Sequence, residues 1–303
     1  MKRALIVMNP KAGLKTANRY LAQICDLFCA GGILPTVYLT QQSGDGIYAA
    51  EHFAPGQDML VCIGGDGTLS EAIEGLHAAK LRMPIGYIPA GSTNVTGASL
   101  HLSRGILRAA RDILRGEERV LDLGEMNGKP FCYVASCGAF TRVTYATPQP
   151  VKNALGYLAY VLEATREVSN ITRIPMHIET DEQTFEGEFL FCAYSNSTSV
   201  AGVVKLHEEK LSLSDGKMEL LLVRRPKDGI ELGQIINALS LSHFNTNLVH
   251  LVSTSHVTVR LPAYIEWTRD GEYSPGAELV ELSCLPGAAR FILPKRNPKG
   301  RIP

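Results

Sequence analysis

The stretch that decides the fold of this chain is MLVCIGGDGTLSE, residues 59–71. Its five apolar residues, Met59–Ile63, are typical of a fully buried β-strand. Glycines surround Asp66 directly afterwards, and helical spacing follows from Leu69 to His77. A buried strand that turns through glycines into a helix predicts a βα unit of a parallel sheet. In such a sheet, ligands bind at the carboxyl ends of the strands.

The glycine turn has the composition of a phosphate-binding site. Glycines let backbone N–H groups approach phosphate oxygens without a side-chain clash, and a helix N-terminus adds partial positive charge. We therefore predict that Gly64, Gly65, Asp66, Gly67 and Thr68 hold phosphate. A bare carboxylate would repel a polyphosphate, so Asp66 predicts Mg²⁺ between the two. The structural alternative is an ordinary βα turn in which Asp66 caps the helix.

Strands alternate with helices on both sides of this turn, which predicts a parallel sheet covered on both faces. We assign residues 1–120 to a Rossmann-like α/β domain. Its other predicted strands are Ala4–Met8, Leu34–Leu39 and Ile85–Ile88, and its other predicted helices are Thr16–Cys29, Gly44–Phe53 and Ser103–Gly116.

From about Val120 onward, strand-like segments dominate, which predicts a C-terminal antiparallel β-rich sandwich domain over residues 121–289. The final strand, Arg290–Leu293, fits either domain, so the tail 290–303 can return to the first. The predicted helices here are Val151–Val168 and Glu231–Ser240. The predicted strands are Phe131–Ala135, Ile174–Thr180, Thr184–Tyr194, Met218–Val223, Val257–Leu261, Tyr264–Trp267 and Val280–Leu285.

Composition argues against several functional classes. A formal net charge of +0 disfavours general nucleic-acid binding. Seven cysteines without any CxxC pair indicate reduced thiols in a cytoplasmic protein. No run approaches ~20 apolar residues, so no transmembrane segment is expected. The tail holds Lys295, Arg296, Lys299 and Arg301, which form either a solvated end or a contact with anionic lipid.

Beyond the glycine turn, four further segments resemble one known family. The turn alone is similar to those of lipid kinases, nicotinamide-adenine-dinucleotide kinases and phosphofructokinases, and does not separate them. Together with the other segments, the chain resembles diacylglycerol kinases and sphingosine kinases, in their bacterial soluble branch. The segments are Asn9-Pro10-Lys11-Ala12-Gly13, Pro89-Ala90-Gly91-Ser92-Thr93-Asn94, Leu213-Ser214-Asp215-Gly216-Lys217-Met218-Glu219 and Arg269-Asp270-Gly271-Glu272.

The resemblance assigns roles to residues that are otherwise ordinary turn residues. It makes Glu272 the base for the acceptor hydroxyl, with Asp270 orienting Glu272 or the metal near Asp66. It implies a structural Mg²⁺ held by the Asp215 side chain and the carbonyls of Ser212 and Lys217. The nucleotide contacts that it implies, besides the glycine turn, are Asn9, Pro10, Lys11, Ala12, Gly13, Thr40, Ser92 and Asn94.

The implied function is an ATP-dependent lipid kinase that works on lipid at the inner membrane surface. Diacylglycerol is the default acceptor, giving phosphatidic acid, and other lipid alcohols remain open. A homodimer is compatible with the sequence. One alternative is a kinase of nicotinamide adenine dinucleotide, and another is a catalytically impaired nucleotide- or lipid-binding protein. The second is motivated by Val95, because the family commonly has aspartate after Asn94, and by the apolar stretch Ser199–Val204.

Overall fold

The structure is a computed structural model that describes residues 1–13, 17–139, 173–196, 199–200, 204–205 and 212–295. The predicted helix Val151–Val168, residues 201–203 of the stretch Ser199–Val204 and the tail after Lys295 lie outside these residues. The chain divides into two compact units. The first unit is Met1–Leu121 with Gly287–Pro303, and the second unit is Asp122–Pro286.

The described strands, in chain order, are β1 (Lys2–Met8), β2 (Ile33–Leu39), β3 (Met59–Gly64), β4 (Pro84–Pro89), β5 (Glu117–Met126), β6 (Lys129–Phe131), β7 (Val134–Gly138), β8 (Ile174–Thr180), β9 (Thr184–Ser195), β10 (Ser199–Val200), β11 (Val204–Lys205), β12 (Met218–Arg224), β13 (Val249–Thr254), β14 (His256–Arg260), β15 (Trp267–Arg269), β16 (Glu272–Ser274) and β17 (Leu279–Leu293). The described helices are a 3₁₀ turn at Ala17–Tyr20, α1 (Leu21–Ala30), α2 (Asp45–Phe53), α3 (Asp66–Ala78), α4 (Val95–Ser99), α5 (Ile106–Arg115) and α6 (Gly229–Ser240). Among these helices, none has the length and apolar character needed to cross a bilayer.

The first unit is built on a parallel sheet with the strand order β2-β1-β3-β4. The residues of β3 are buried throughout, because helices cover both faces of the sheet. Alternate residues of β1 and β3 face α1 and α5, where Phe28 and Ile113 complete the core. The end of β17 joins this sheet beside β4, pairing Arg290 with Pro84 in parallel.

The second unit is antiparallel, with β15, β7, β9, β8 and β14 as consecutive neighbours and β12 on the other side of β9. The first half of β17 pairs with β14. Trp267, Phe131, Phe189 and Tyr194 are the large buried side chains of its core. The parallel strands of the first unit and the antiparallel strands of the second confirm the predicted fold class.

Several predicted elements were wrong in detail. The predicted strand Phe131–Ala135 is interrupted, because the backbone N–H groups of Cys132 and Tyr133 donate to the Asp270 carboxylate and leave the ladder. The predicted strand Tyr264–Trp267 begins only at Trp267. The predicted strand Arg290–Leu293 is the end of the long strand β17, and β5 was not predicted.

The turn after β8 supplies a pH-dependent contribution to stability. Asp181 Oδ2 accepts bonds from Thr254 Oγ1, from the N–H and the hydroxyl of Ser255, and from the N–H of His256. These bonds, led by the Ser255 hydroxyl, lower the pKa of Asp181 to about 2. An aspartate in an unfolded chain has a pKa of about 3.9. The stabilisation is therefore complete above about pH 4 and is lost as the pH falls through about 2.

We predict that Asp181→Ala destabilises the protein by about 1 kcal/mol at pH 6, because Asp181 is exposed and solvent screens its charge. The difference from wild type should shrink steadily as the pH falls toward about 2.5. Unfolding free energies from urea titrations across this range measure it. The control is Glu182→Ala, a change at the neighbouring exposed residue. A difference that stays constant with pH would contradict the prediction.

Candidate active site

Three loops meet at the carboxyl edge of the parallel sheet in the first unit. They follow β1, β3 and β4, which are neighbours and run in the same direction. The Asn9 N–H donates to the Ile63 carbonyl at 2.9 Å. The Gly64 carbonyl accepts the N–H groups of Ala90 at 2.7 Å and Gly91 at 3.1 Å. The three segments predicted to bind the nucleotide, residues 9–13, 64–68 and 89–94, therefore form one surface.

Close backbone approach explains two of the glycines on this surface. A Cβ on Gly91 would lie 2.5 Å from the Gly65 Cα, and a Cβ on Gly13 would lie 2.4 Å from the Ala90 oxygen. Gly13 also has a φ of +52°, which L side chains rarely adopt. Only glycine fits at either place without a shift of the backbone.

Helix α3 begins inside the glycine turn, at Asp66, three residues before the predicted start at Leu69. Its N-cap is Gly65, which has no side chain to bond the first N–H groups of the helix. The first N–H groups of any α-helix have no partner within the helix. This end of α3 therefore offers backbone donors and partial positive charge to an anion.

The Asp66 carboxylate does not cap its own helix. Its Oδ2 accepts the Val95 N–H at 2.8 Å, and its Oδ1 accepts the Thr96 N–H at 3.0 Å. Asp66 thus holds the start of α4, which directly follows the segment at residues 89–94. An ionised carboxylate has about four acceptor positions, so both oxygens keep capacity for a further ligand. Binding of Mg²⁺ by Asp66 stays a prediction.

Two asparagines fix the shape of the loops. Asn94 has a φ of +51°, and its side-chain amide bonds both the N–H and the carbonyl of Gly91 at 2.8 Å. Asn9 Oδ1 accepts the Lys11 N–H at 2.9 Å, and Asn9 Nδ2 donates to Thr68 Oγ1 at 3.4 Å. Both side chains are engaged in holding backbone. Ser92, on the same loop as Asn94, is exposed.

The remaining predicted nucleotide contacts extend this surface toward β2. Lys11 Nζ donates to the Gln41 carbonyl at 3.1 Å, and the Pro10 carbonyl accepts Asn18 Nδ2 at 3.0 Å. The Ala12 N–H closes the turn onto the Asn9 carbonyl. Thr40 is buried at the end of β2, with its N–H on the Met8 carbonyl.

In the second unit, the predicted base lies on a two-residue hairpin. Asp270 and Gly271 have φ angles of +50° and +85°, as in the type I′ turn that suits tight hairpins. The turn joins β15 to β16 and pairs Arg269 with Glu272. Glu272 is exposed, and its role as the base stays a prediction.

Asp270 holds backbone through both carboxylate oxygens. Oδ1 accepts the N–H groups of Tyr133 at 2.7 Å and Val134 at 3.1 Å, and Oδ2 accepts that of Cys132 at 2.8 Å. The carboxylate is buried. Its orienting effect on Glu272 remains a prediction. These hydrogen bonds support an effect that acts through the backbone of the hairpin.

An acidic residue that the sequence reasoning missed contacts the predicted metal loop. Asp122 is buried, its Oδ2 accepts the Gly216 N–H at 2.7 Å, and its own N–H donates to the Leu213 carbonyl at 2.9 Å. Asp215 is exposed, with Oδ1 on the Lys217 N–H at 3.1 Å. Asp122 lies 94 residues before Gly216, so no local pattern points to this contact.

Negative charge accumulates around this loop. Burial, and secondly the charge of Asp215, raises the pKa of Glu219 to about 7. Burial, with Asp122 next in importance, raises the pKa of Cys284 to about 12. The described residues contain no group of three or more His, Cys, Asp or Glu side chains placed to hold a metal ion. A cation bound by Asp215 would therefore depend on backbone carbonyls, such as those predicted at Ser212 and Lys217, and on water.

The first unit thus has the architecture of a phosphate-binding α/β domain, with glycine loops and a helix N-terminus at one sheet edge. A sequence model of the diacylglycerol kinase catalytic domain matches residues 3–126. A diacylglycerol kinase of Bacillus subtilis (strain 168) is 32% identical over 287 residues, which are 93% of this chain and 94% of that protein. One of Staphylococcus saprophyticus is 32% identical over 274 residues, covering 90% of this chain and 89% of that protein.

The solved structures agree in fold. The crystal structure of a diacylglycerol kinase from Bacillus anthracis (strain Sterne) aligns with a TM-score of 0.74 at 21% identity, covering 99% of this chain and 98% of that one. A second structure from the same organism aligns with a TM-score of 0.78, covering 99% of both chains. The chain belongs to the diacylglycerol kinase family. It is a lipid kinase, as its sequence predicted.

Proposed function

We propose that this lipid kinase transfers the γ-phosphoryl group of ATP to the hydroxyl of diacylglycerol, giving phosphatidic acid at a membrane surface. The observation that carries the proposal is the 32% identity to the Bacillus subtilis diacylglycerol kinase over 93% of the chain. A span of that length includes residues of both units, among them the glycine turn and Glu272.

The first unit fits the phosphates of a nucleotide. The packing of Gly91 on Gly65 leaves backbone rather than side chains at the sheet edge. The N-terminus of α3 opens onto the same edge with uncapped N–H groups. Lys11 lies on the neighbouring loop, where its ammonium group adds positive charge. These features attract and orient anionic oxygens.

The residues also fit a magnesium ion that is bound mainly through phosphate. Mg²⁺ usually takes one or two protein carboxylates, substrate phosphates and several waters. Asp66 supplies one carboxylate, which two backbone N–H groups hold in place. When bound, the ion would offset the negative charge that develops on the transferred phosphoryl group.

The acceptor chemistry is assigned to Glu272. A carboxylate base takes the proton of the lipid hydroxyl as that oxygen attacks phosphorus. Glu272 is exposed at the start of β16, and the tight turn at Asp270 and Gly271 limits its movement. Asp270 anchors this turn to residues 132–134 and so positions Glu272.

A parallel assay tests the proposal. The protein is given labelled ATP with diacylglycerol in mixed micelles and, separately, with nicotinamide adenine dinucleotide. We expect labelled phosphatidic acid and no labelled dinucleotide. Transfer to the dinucleotide alone would reject the proposal in favour of the other kinase. Monoacylglycerol and a sphingoid base, assayed alongside, test the choice of lipid.

Because position 95 holds valine, we expect a low kcat for lipid phosphorylation. Its backbone N–H lies 2.8 Å from Asp66 Oδ2, so an aspartate here would place a second carboxylate beside Asp66. Two carboxylates would bind a phosphate-bridging Mg²⁺ better than one. We predict that Val95→Asp raises kcat for lipid phosphorylation about tenfold, or about 1.4 kcal/mol of barrier.

Thermal unfolding supplies a second measurement of the same change. Without Mg²⁺, the two like charges should lower the unfolding temperature of Val95→Asp, and Mg²⁺ should restore it. Val95→Asn, which adds a polar group of the same size without charge, should show neither effect. If Mg²⁺ stabilises Val95→Asp no more than wild type, this edge does not hold the metal.

A further inference from the structure

Glu71 has a set of contacts that nothing in the proposed chemistry uses. It lies on α3, one turn beyond the glycine turn, with its carboxylate partly buried. Oε1 accepts the Ser43 hydroxyl at 3.1 Å and the Gly44 N–H at 2.8 Å. Oε2 accepts the Gly46 N–H at 3.0 Å. Both oxygens are therefore bonded to the loop that follows β2.

These bonds make Glu71 the N-terminal cap of a different helix. The N-cap of α2 is Gly44, which has a φ of +89° and no side chain to accept a bond. Glu71 binds the N–H groups of this N-cap and of Gly46 instead. Its negative charge also lies at the positive end of α2, where it is favourable.

Because Glu71 caps α2, the Asp45 side chain is not needed as a cap and bonds residues that precede it in the loop. Asp45 Oδ2 accepts the N–H groups of Gln41 at 2.7 Å and Gln42 at 3.2 Å. The Gln41 carbonyl in turn accepts Lys11 Nζ at 3.1 Å. A continuous set of hydrogen bonds thus joins α3, the loop after β2 and the loop after β1.

Packing leaves Glu71 little freedom to move. A Cβ on Gly46 would lie 2.8 Å from both Cβ and Oε2 of Glu71. One turn further along α3, a Cβ on Gly75 would lie 2.4 Å from the Ile47 carbonyl. Helices α2 and α3 are therefore in close contact beside this carboxylate.

The position of the loop indicates what it contacts. In the order β4-β3-β1-β2, the loop after β2 is two strands from the glycine turn, roughly 10 Å away. Lys11 lies between the glycine turn and the loop after β2. If the phosphates of a nucleotide bound at the N-terminus of α3 and beside Lys11, its nucleoside would extend toward Thr40 and Gln41. We propose that Glu71 is a positioning residue that fixes the 41–46 loop against the nucleoside of the donor. This inference rests on the proposed use of a nucleoside triphosphate.

Two ligands distinguish an effect on nucleoside binding from an effect on phosphate binding. ADP and inorganic tripolyphosphate are titrated calorimetrically into wild type and Glu71→Gln. Glutamine keeps the shape of the Glu71 side chain. It replaces one of the two carboxylate oxygens by an amide NH₂ group, which would face a backbone N–H donor. We expect the Kd for ADP to rise about tenfold in the variant, while the Kd for tripolyphosphate changes by less than about twofold. In the lipid assay, KM for ATP should rise while kcat stays within about twofold of wild type.

Gly46→Ala provides an independent variant that keeps the carboxylate and displaces it through the added Cβ. It should reproduce the loss of ADP affinity even if Glu71→Gln proves too unstable to study. Glu51→Gln makes the same charge change on α2, away from the loop, and should bind ADP as wild type does. Unfolding temperatures accompany each titration.

The outcomes are distinct. If wild type neither binds ADP nor phosphorylates lipid, the proposed function fails. If wild type does both and the two loop variants bind ADP as tightly, Glu71 does not position the nucleoside. An equal loss of affinity for ADP and tripolyphosphate would also overturn the inference, because Glu71 would then support the whole sheet edge.

Discussion

Replacing Glu272 by glutamine should lower kcat for lipid phosphorylation about 10²–10⁴-fold, the usual contribution of a general base. Glutamine keeps the size of the side chain but does not take a proton from the acceptor hydroxyl. The residue is exposed at the start of β16, so the change leaves no buried group without a partner. We therefore expect ADP affinity and the unfolding temperature to match those of wild type.

Initial rates with saturating ATP and diacylglycerol measure this effect. Glu278→Gln is the control, because Glu278 is an exposed glutamate in the same unit with no predicted role. It should retain full activity. If Glu272→Gln keeps more than about a tenth of wild-type kcat, another group removes the proton.

Replacing Asp270 by alanine should destabilise the second unit by about 3–5 kcal/mol, because three backbone N–H groups lose their acceptor. The donors are those of Cys132, Tyr133 and Val134, and the carboxylate that they share is buried. Alanine also tolerates the φ of +50° poorly. Activity should fall as well, since the same turn carries Glu272.

Hydrogen exchange on residues 131–135 tests the cause directly. A loss of about 3 kcal/mol corresponds to about a hundredfold loss of protection at the three amides. Asp270→Asn should fall between wild type and alanine, because asparagine suits a positive φ but keeps only one acceptor oxygen. Asp228→Ala is the control, since Asp228 accepts two backbone N–H groups at an exposed helix end and should cost only about 1 kcal/mol. Unchanged protection at residues 132–134 would show that Asp270 does not hold them.

The fold class was accessible from sequence because it depends on local patterns. The run Met59–Ile63 and its glycines gave one βα unit, and repetition of that pattern gave the parallel sheet. Boundaries were less accessible where a distant residue intervened. The break between β6 and β7 arises from Asp270, which lies 138 residues after Cys132. The start of α3 at Asp66 was missed because glycines give a weak helical signal.

The candidate site was predicted from a different kind of sequence signal. Short motifs, read with a family resemblance, pointed to the loops at Asn9–Gly13, Gly64–Thr68 and Gly91–Asn94, and the structure brings these three together in the first unit. The motifs did not indicate which atoms their carboxylates bind. Asp66 was interpreted as a metal residue, and its described bonds hold the start of α4.

By itself, the sequence determined the alternation of strands and helices in the first unit, the strand-rich character of the second, the glycine turns, and the family that supplies the chemistry. These properties depend on residues a few positions apart, whose spacing sets the buried face of each element and the backbone freedom of each turn. Only the tertiary structure decided the partners of the buried and half-buried carboxylates. Asp122 bonds residue 216, Glu71 bonds residues 43, 44 and 46, and Asp270 bonds residues 132–134. A carboxylate accepts whichever donors the folded chain brings within about 3 Å, and that proximity is a property of the path of the chain.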